Sequence, residues 1–340
     1  MKIIIPLAGY GTRLRPHTYT RPKPLIDVAG KPALGHLLDK LSLLPGVTEY
    51  IFIVGYLGEQ IEEYVQKHYQ IPARYLEQKE LLGQSHAIAL ARNFVGDEPV
   101  FVVFVDTIFE ADLSILTRTE ADGLIFVHEV DDPRRFGVVM LNAQGHIIRM
   151  VEKAEEPPSN LAIVGMYYVR DGRRLMEAFD WQLSAEENKT KGEYYIADAL
   201  QYLVNQGAVF KTAPVSQWLD VGVPATVLST NRYLLNQGGM DNSASLIQHY
   251  KTAIIIPPVH IHPSAVIERS VIGPDVSVAA GCVVKDSIVR NSIIGEGSQI
   301  QDAMLQESLI GKNAFVAGRY RAYNVGDSSM VGFAEIQSNT

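Results

Sequence analysis

The chain has 340 residues, more than a single hydrophobic core usually serves, so two domains are expected. Its 47% hydrophobic and 20% charged residues describe a globular protein, and the net charge of −8 argues against a general nucleic-acid binder, although a compact basic site can sit inside an acidic average. The one cysteine, Cys282, excludes an intramolecular disulfide and a multi-cysteine zinc site, and fits a reducing, cytoplasmic setting. The opening MKIIIPLAGYGTR has too short an apolar run for a signal peptide, and no stretch approaches the roughly 18 apolar residues of a membrane span. Neither nucleic acid nor membrane is therefore expected as a partner.

Strand and helix patterns alternate from the start. Ile3 to Leu7 reads as a buried strand, followed by a glycine-bearing loop, and Leu34, Leu37, Leu38 and Leu41 share one helical face. A strand at Tyr50 to Val54 and a helix around Glu59 to His68 follow. A helix-like run from His86 to Phe94 leads to an apolar strand, Pro99 to Val105, ending at Asp106. This alternation implies an α/β fold with a mostly parallel, Rossmann-like mixed sheet, whose ligands bind beyond the carboxyl ends of the strands. Gly123 to Val169 is strand-rich, with turns at Asp132-Pro133 and Glu155 to Ser159. Helices around Arg173 to Phe179 and Tyr195 to Asn205, a strand ending in Trp218 to Gly222 and a helix Pro224 to Leu235 complete the first domain.

Beyond residue 238 the pattern changes. SVIGPDVSV, SIIGEGSQI and SLIGKNAFV carry Gly273, Gly295 and Gly311 at corresponding places, with aliphatic residues at about hexapeptide spacing between them. A short left-handed β-helix of about three coils is expected; a small antiparallel β-domain is the alternative. The division is 1–238 for the first domain, 239–258 for a polar connection, 259–320 for the β-helix and 321–340 for a C-terminal tail. His260 and His262 fall on one face of a strand at the first coil. They could ligate a metal or serve as an acyl-transfer base, but an outward-pointing structural role is expected.

The segment LAGYGTRLRPHTYTRPKPL concentrates the chemistry. Gly9 and Gly11 allow close backbone approach to an anion, Arg13 and Lys23 add positive charge, and Pro16, Pro22 and Pro24 stiffen the path. A dinucleotide loop does not fit, because Leu14 stands where its third glycine belongs, and no GK[ST] of a P-loop follows. The loop reads as a triphosphate cradle. Asp106 and Asp220, each after an apolar strand, suit Mg²⁺, which is held by one or two carboxylates plus phosphate oxygens. An aspartate at a strand end is by itself more often a cap or turn former, and the cationic loop shifts that balance.

GYGTRLRPHT followed by RPKPL resembles the signature of the sugar-1-phosphate nucleotidyltransferases, usually written GGxGTRLxPxT with KP shortly after. The resemblance continues over roughly the first 235 residues, the β-helical tail is a common attachment, and the nearest variety is the thymidylyl- and uridylyltransferases acting on glucose-1-phosphate or its relatives. It implies that Leu7, Gly9, Gly11 and Thr12 bind nucleotide, with Arg13 and Lys23 catalytic. It further implies that Gln78 and Gly83 read the base, Asp106 and Asp220 hold Mg²⁺, and Gly137, Glu152, Lys153, Gly165 and Glu193 contact the sugar phosphate. The implied partners are a nucleoside triphosphate and a sugar-1-phosphate, in a homo-oligomer. Tyr10, Gln84, Val105, Thr107 and Ala154 depart from the family pattern without removing a charged group. Two rival readings are a bifunctional enzyme whose tail transfers an acyl group and a catalytically silent subunit. The latter fits poorly with the retained Arg13, Lys23, Asp106 and Asp220.

Overall fold

A computed structural model of the chain describes residues 1–246 and 249–318; the expected tail, 321–340, lies outside the described residues. The first part is built on a nine-stranded sheet. Strands Ala73–Glu77, Glu49–Val54, Lys2–Pro6 and Val100–Val103 lie side by side and parallel. The Gly123–Val169 region supplies the antiparallel half, in which Leu161–Val169 pairs with Val100–Val103 on one side and with Gly123–Glu129 on the other. Fully buried Ile, Val and Phe alternate between the two faces of the central strands, as a sheet covered on both sides requires. Ile4, Ile51 and Val102 meet the helices Gly172–Leu183 and Ile196–Asn205, while Ile3, Phe52 and Phe101 meet Ala33–Leu41 and Gly58–His68.

Two elements differ from the sequence expectation. The run from His86 to Phe94 is not one helix but Gln84–Ala89 and a separate 3₁₀ turn, Arg92–Phe94. The apolar strand before Asp106 stops at Val103, because Phe104 turns its N–H to Gly165 O (3.0 Å). A new strand, Thr107–Glu110, then pairs antiparallel with Gln217–Asp220. Asp106 thus lies at a break between strands, and its carbonyl accepts from Val221 N at 3.0 Å. That break sets the two expected metal ligands side by side.

The second part consists of three parallel sheets of four short strands each, stacked as the coils of a left-handed β-helix. Among the described residues there are four coils rather than about three. The first one, with strands Ile254–Ile255, Val259–Ile261 and Val266–Glu268, lacks the SxIG string by which the others were recognised, and its opening strand lies in the stretch read as a connection. Coil corners at Asp275, Asp286, Asn291, Asp302 and Asn313 adopt positive φ, which Asp and Asn tolerate better than other side chains. Small buried serines link the coils: Ser287 N donates to Ser270 Oγ, Ala303 N to Ser287 Oγ and Ala314 N to Ser298 Oγ, all at 3.0–3.1 Å. Ser287→Ala should therefore leave the Ala303 N–H buried and short of an acceptor, at a cost of about 1–3 kcal/mol. Chemical denaturation should show this loss, with the folded state's circular dichroism unchanged.

Candidate active site

The strand Lys2–Pro6 delivers the chain to the cleft, where Leu7 N bonds Ile53 O and the side chains of Leu7 and Ala8 are buried. The loop then relies on Gly11. Its φ of 61° is left-handed, and a Cβ there would lie 2.9 Å from Lys23 Cβ. Only glycine lets the Lys23 segment close beneath the loop. A 3₁₀ turn, Thr12–Leu14, exposes Arg13 and buries Leu14 completely. Lys23 opens a similar turn, Lys23–Leu25, and its ammonium reaches Asp106 Oδ2 at 3.5 Å.

The cleft has a volume of about 540 Å³, within the range of small-molecule sites. Leu7, Gly9, Gly11, Thr12, Arg13 and Lys23 line one side; Gln78 and Gly83 face them, and Asp106 and Glu193 complete the wall. Gln78 is buried, and its carboxamide nitrogen contacts His86 Nδ1 at 3.2 Å, so the amide is held rather than free in solvent. Gly83, at φ 117°, pairs with Tyr194, and a Cβ there would sit 2.6 Å from Tyr194 N. The Gln78–Gly83 segment and the Glu193 loop therefore interlock through a position open only to glycine.

The remaining expected residues form an adjoining wall. Gly137 pairs with Glu152 across two strands, and a Cβ on it would come within 2.5 Å of Glu152 Oε2. Gly165, at φ 80°, lies against Phe104 where the pairing of its strand shifts register. Lys153 is also left-handed, and its ammonium donates to Tyr195 Oη at 3.0 Å while lying over the ring of the same residue. Burial opposes the charge on Lys153, but the Tyr195 hydrogen bond and the carboxylates of Glu152 and Glu193 outweigh it and raise the ammonium pKa. Lys191 Nζ donates to Lys153 O at 2.7 Å. Tyr195, Lys191 and His86 were not anticipated. The first two lie in the TKGEYYIAD string, whose Glu193 alone had been singled out.

Glu152 is the most perturbed carboxyl of the site. Burial pushes its pKa up to about 7; Asp198 and Glu193 add to the rise, and Lys153 opposes it. At neutral pH it is poised between donor and acceptor.

Asp106 and Asp220 offer only oxygen donors, as a hard cation requires. Asp220 Oδ2 accepts from Thr226 Oγ1 at 3.0 Å, and a Cβ built on Gly222 would lie 2.7 Å from Asp220 Oδ1 and 3.4 Å from Arg13 Nη2, so carboxylate and guanidinium converge there. Thr107 Oγ1, next to Asp106, is buried without a hydrogen-bond partner. Among the described residues no group of three or more His, Cys, Asp or Glu could hold a metal. A cation at this pair would take its other ligands from phosphate and water, which suits Mg²⁺.

A larger cavity of about 970 Å³ lies beside the contact between the first domain and the β-helix, but no expected site residue lines it. Arg21 and Lys312 there are already paired with Asp27 and Glu296. His260 and His262 border it; they point outward from the coil, with His260 Nδ1 on Met240 O and His262 Nδ1 on Ser264 Oγ, both 2.8 Å.

Glu152 predicts a pH effect of definite sign. Its carboxyl ionises near 4.5 in the unfolded chain and near 7 in the folded one, so between those values the unfolded state alone loses the proton. Rising pH therefore favours unfolding across that window, and the penalty is constant above it. Glu152→Gln removes the penalty: its Tm relative to the original chain should rise from pH 5 to pH 8. Parallel thermal melts test this, and a constant difference would refute the buried-carboxyl account.

The comparison with known proteins agrees with this geometry. Residues 2–237 match the family described as Nucleotidyl transferase. A glucose-1-phosphate thymidylyltransferase of Streptomyces antibioticus is 31% identical, over 99% of this chain and all of its own length. The bifunctional protein GlmU of Methanocaldococcus jannaschii is 33% identical, over 87% of this chain and 78% of its own. A UDP-glucose pyrophosphorylase crystallised with UDP-glucose shares the fold, with a TM-score of 0.61 and 22% identity over 69% of this chain and 98% of its own. Among the described residues no helix is long and apolar enough to cross a membrane. The chain belongs to the nucleotidyl transferase family.

Proposed function

We propose that the protein transfers a nucleotidyl group from a nucleoside triphosphate, dTTP or UTP in preference, to a sugar-1-phosphate, with glucose-1-phosphate the first candidate, and releases pyrophosphate. The observation that carries this reading is the convergence of the glycine loop, Lys23 and Asp106 in one cleft. The attacking oxygen belongs to a phosphate that is already largely anionic near pH 7, so no general base is needed. The protein's task is to align that oxygen with the α-phosphorus and to stabilise the charge that develops there. Lys23 and Arg13 donate to the α-phosphate and the leaving pyrophosphate, and the amides of Gly9 to Thr12 ring the triphosphate. Lys153, fixed by Tyr195, grips the incoming phosphate, while Glu152 and Glu193 bond sugar hydroxyls. Asp106 and Asp220 would hold Mg²⁺, which neutralises phosphate charge when bound.

The preference for thymine or uracil rests on Gln78. A carboxamide presents both a donor and an acceptor, matching the alternating N–H and C=O edge of those bases, whereas the adjacent donors of guanine suit a carboxylate. A cytoplasmic homo-oligomer belongs to the same proposal, supported by the lone buried thiol Cys282 and by exposed apolar residues on the β-helix, among them Ile254, Met304 and Phe315. An acyl-transferring tail is less well supported, since His260 is packed against Gly30 of the first domain.

Three measurements test the reading. Lys23→Ala should keep the fold and lower turnover about 10²-fold or more, by analogy with losing one transition-state donor; near-normal pyrophosphate release from the folded variant would remove Lys23 from the mechanism. Across a grid of nucleotides and sugar phosphates, dTTP or UTP should be used best. Gln78→Glu should impair both pyrimidine nucleotides by about 1–3 kcal/mol in kcat/KM, because an ionised acceptor then faces a carbonyl oxygen. A preference for GTP or ATP would refute the base assignment.

A further inference from the structure

One face of the β-helix carries a register of outward side chains, His260, Ser277, Ile293 and Leu309, aligned through four successive coils. All four meet the first domain. His260 lies against Gly30 so closely that a Cβ on that glycine would overlap the imidazole. Ser277 Oγ donates to Asn231 Oδ1 at 2.6 Å. Ile293, with Leu309 beside it, joins the apolar cluster of Leu14, Val28, Ile108 and Val221. Those four residues come from the glycine loop, the segment after Lys23, the strand after Asp106 and the turn after Asp220. The β-helix is thus the floor beneath the segments that carry Arg13, Lys23, Asp106 and Asp220.

Asn231, in the helix Pro224–Asn236, ties this floor to the site. Its side chain is completely buried, and each of its polar atoms is used. Oδ1 accepts from Ser277 Oγ and from Ala29 N at 2.9 Å, and Nδ2 donates to Asp275 O at 3.1 Å. Ala29 has a left-handed φ of 50° in the hairpin that follows Lys23, so its N–H depends on this acceptor. In the same helix, Thr226 Oγ1, five residues earlier, donates to Asp220 Oδ2, and Thr230 Oγ1, next to Asn231, donates to Asp220 O, both at 3.0 Å.

We propose that Asn231 is a positioning residue that locks the Lys23 segment, the Asp220 turn and the second coil of the β-helix into one unit, so that catalysis depends on the β-helix staying docked. The proposal rests on the roles given above to Lys23 and Asp220. Loosening this lock should misplace charged groups relative to one another while leaving the nucleotide cleft in being, so kcat suffers more than KM.

The test uses the full chain. Asn231→Ala and the milder Ser277→Ala are compared with Val284→Ala, a cavity in the β-helix interior that touches none of these groups. Well below the melting temperature, Asn231→Ala should lose about tenfold to a hundredfold in kcat, with KM for both substrates changed much less and the Mg²⁺ requirement raised. Ser277→Ala should show the same pattern more weakly, and Ser277→Thr, which keeps the hydroxyl, should restore it. Val284→Ala should lose Tm and keep kcat. Amide exchange at Ala29 and around Asp220 should quicken about tenfold or more in Asn231→Ala and not in Val284→Ala. Equal kcat and equal exchange in the Asn231 and Val284 variants would overturn the proposal. If the unaltered chain transfers no nucleotide, the proposed function falls instead, and the exchange comparison still decides whether Asn231 makes the lock.

Discussion

Leu14 imposes the constraint from which the site follows. It follows Arg13 in a loop that lines the cleft, yet its own side chain is entirely excluded from water. A loop with one face open and one buried needs an apolar support directly beneath it. Ile26, Val28, Ile108, Val221, Val227 and Leu228 provide that support. The segments that carry Arg13, Lys23, Asp106 and Asp220 each contribute an apolar residue to this cluster, one to five positions further along the chain. Burying the underside of the loop therefore fixes where Lys23, Asp106 and Asp220 emerge above it. Gly11 permits the closest of these approaches, and a larger residue there would push the Lys23 turn away from the loop.

The balance of charge in the cleft follows from that arrangement. In a protein of net charge −8, positive charge is gathered locally, with Arg13 and Lys23 on one wall of the cleft and Lys153 and Lys191 on the next. Acidic groups temper each cation. The Lys23–Asp106 contact at 3.5 Å is long, and the Asp106 side chain is 45% exposed, so this pair is weak and readily exchanged for a cation and a phosphate. Lys153 is held far more firmly, between the ring and hydroxyl of Tyr195. The Lys23 side of the cleft is thus loosely paired, whereas Lys153 on the adjoining wall is held in place.

What could be read from the sequence divides along the same lines. The glycine loop, Lys23 and the strand–helix alternation are local patterns, and each lies where its spacing suggested. Asp106 was recognisable as a candidate, but the break that frees it was not: the apolar run continues to Val105, and only the distant Gly165 carbonyl shows where the strand ends. Gln78 was assignable through its motif, while its burial against His86 was not. Tyr195 and Asn231 lay out of reach for a stricter reason. Their partners are 42 and 202 residues away in sequence, and neither residue type signals positioning by itself. The coil count failed in the opposite way, since the first coil keeps the geometry of the repeat while discarding its serine-glycine signature.

The local elements that carry the chemistry are too short to hold themselves in place. Thr12–Leu14 and Lys23–Leu25 are single 3₁₀ turns, and Asp106 and Asp220 end or interrupt strands of four residues. Such fragments have little intrinsic stability, because a single turn gains few hydrogen bonds for the backbone freedom it gives up. Transfer between two phosphates, however, tolerates little error in the position of charge. The β-helix meets this need through its construction. Its coils are joined strand to strand in three directions and cross-linked by buried serines, so one register position repeated through four coils makes a straight, stiff stripe. A loop or a lone helix in that place would move with the site it supports. A stack of coils does not, and its contact with the turns beneath the cleft makes the second domain part of the catalytic framework.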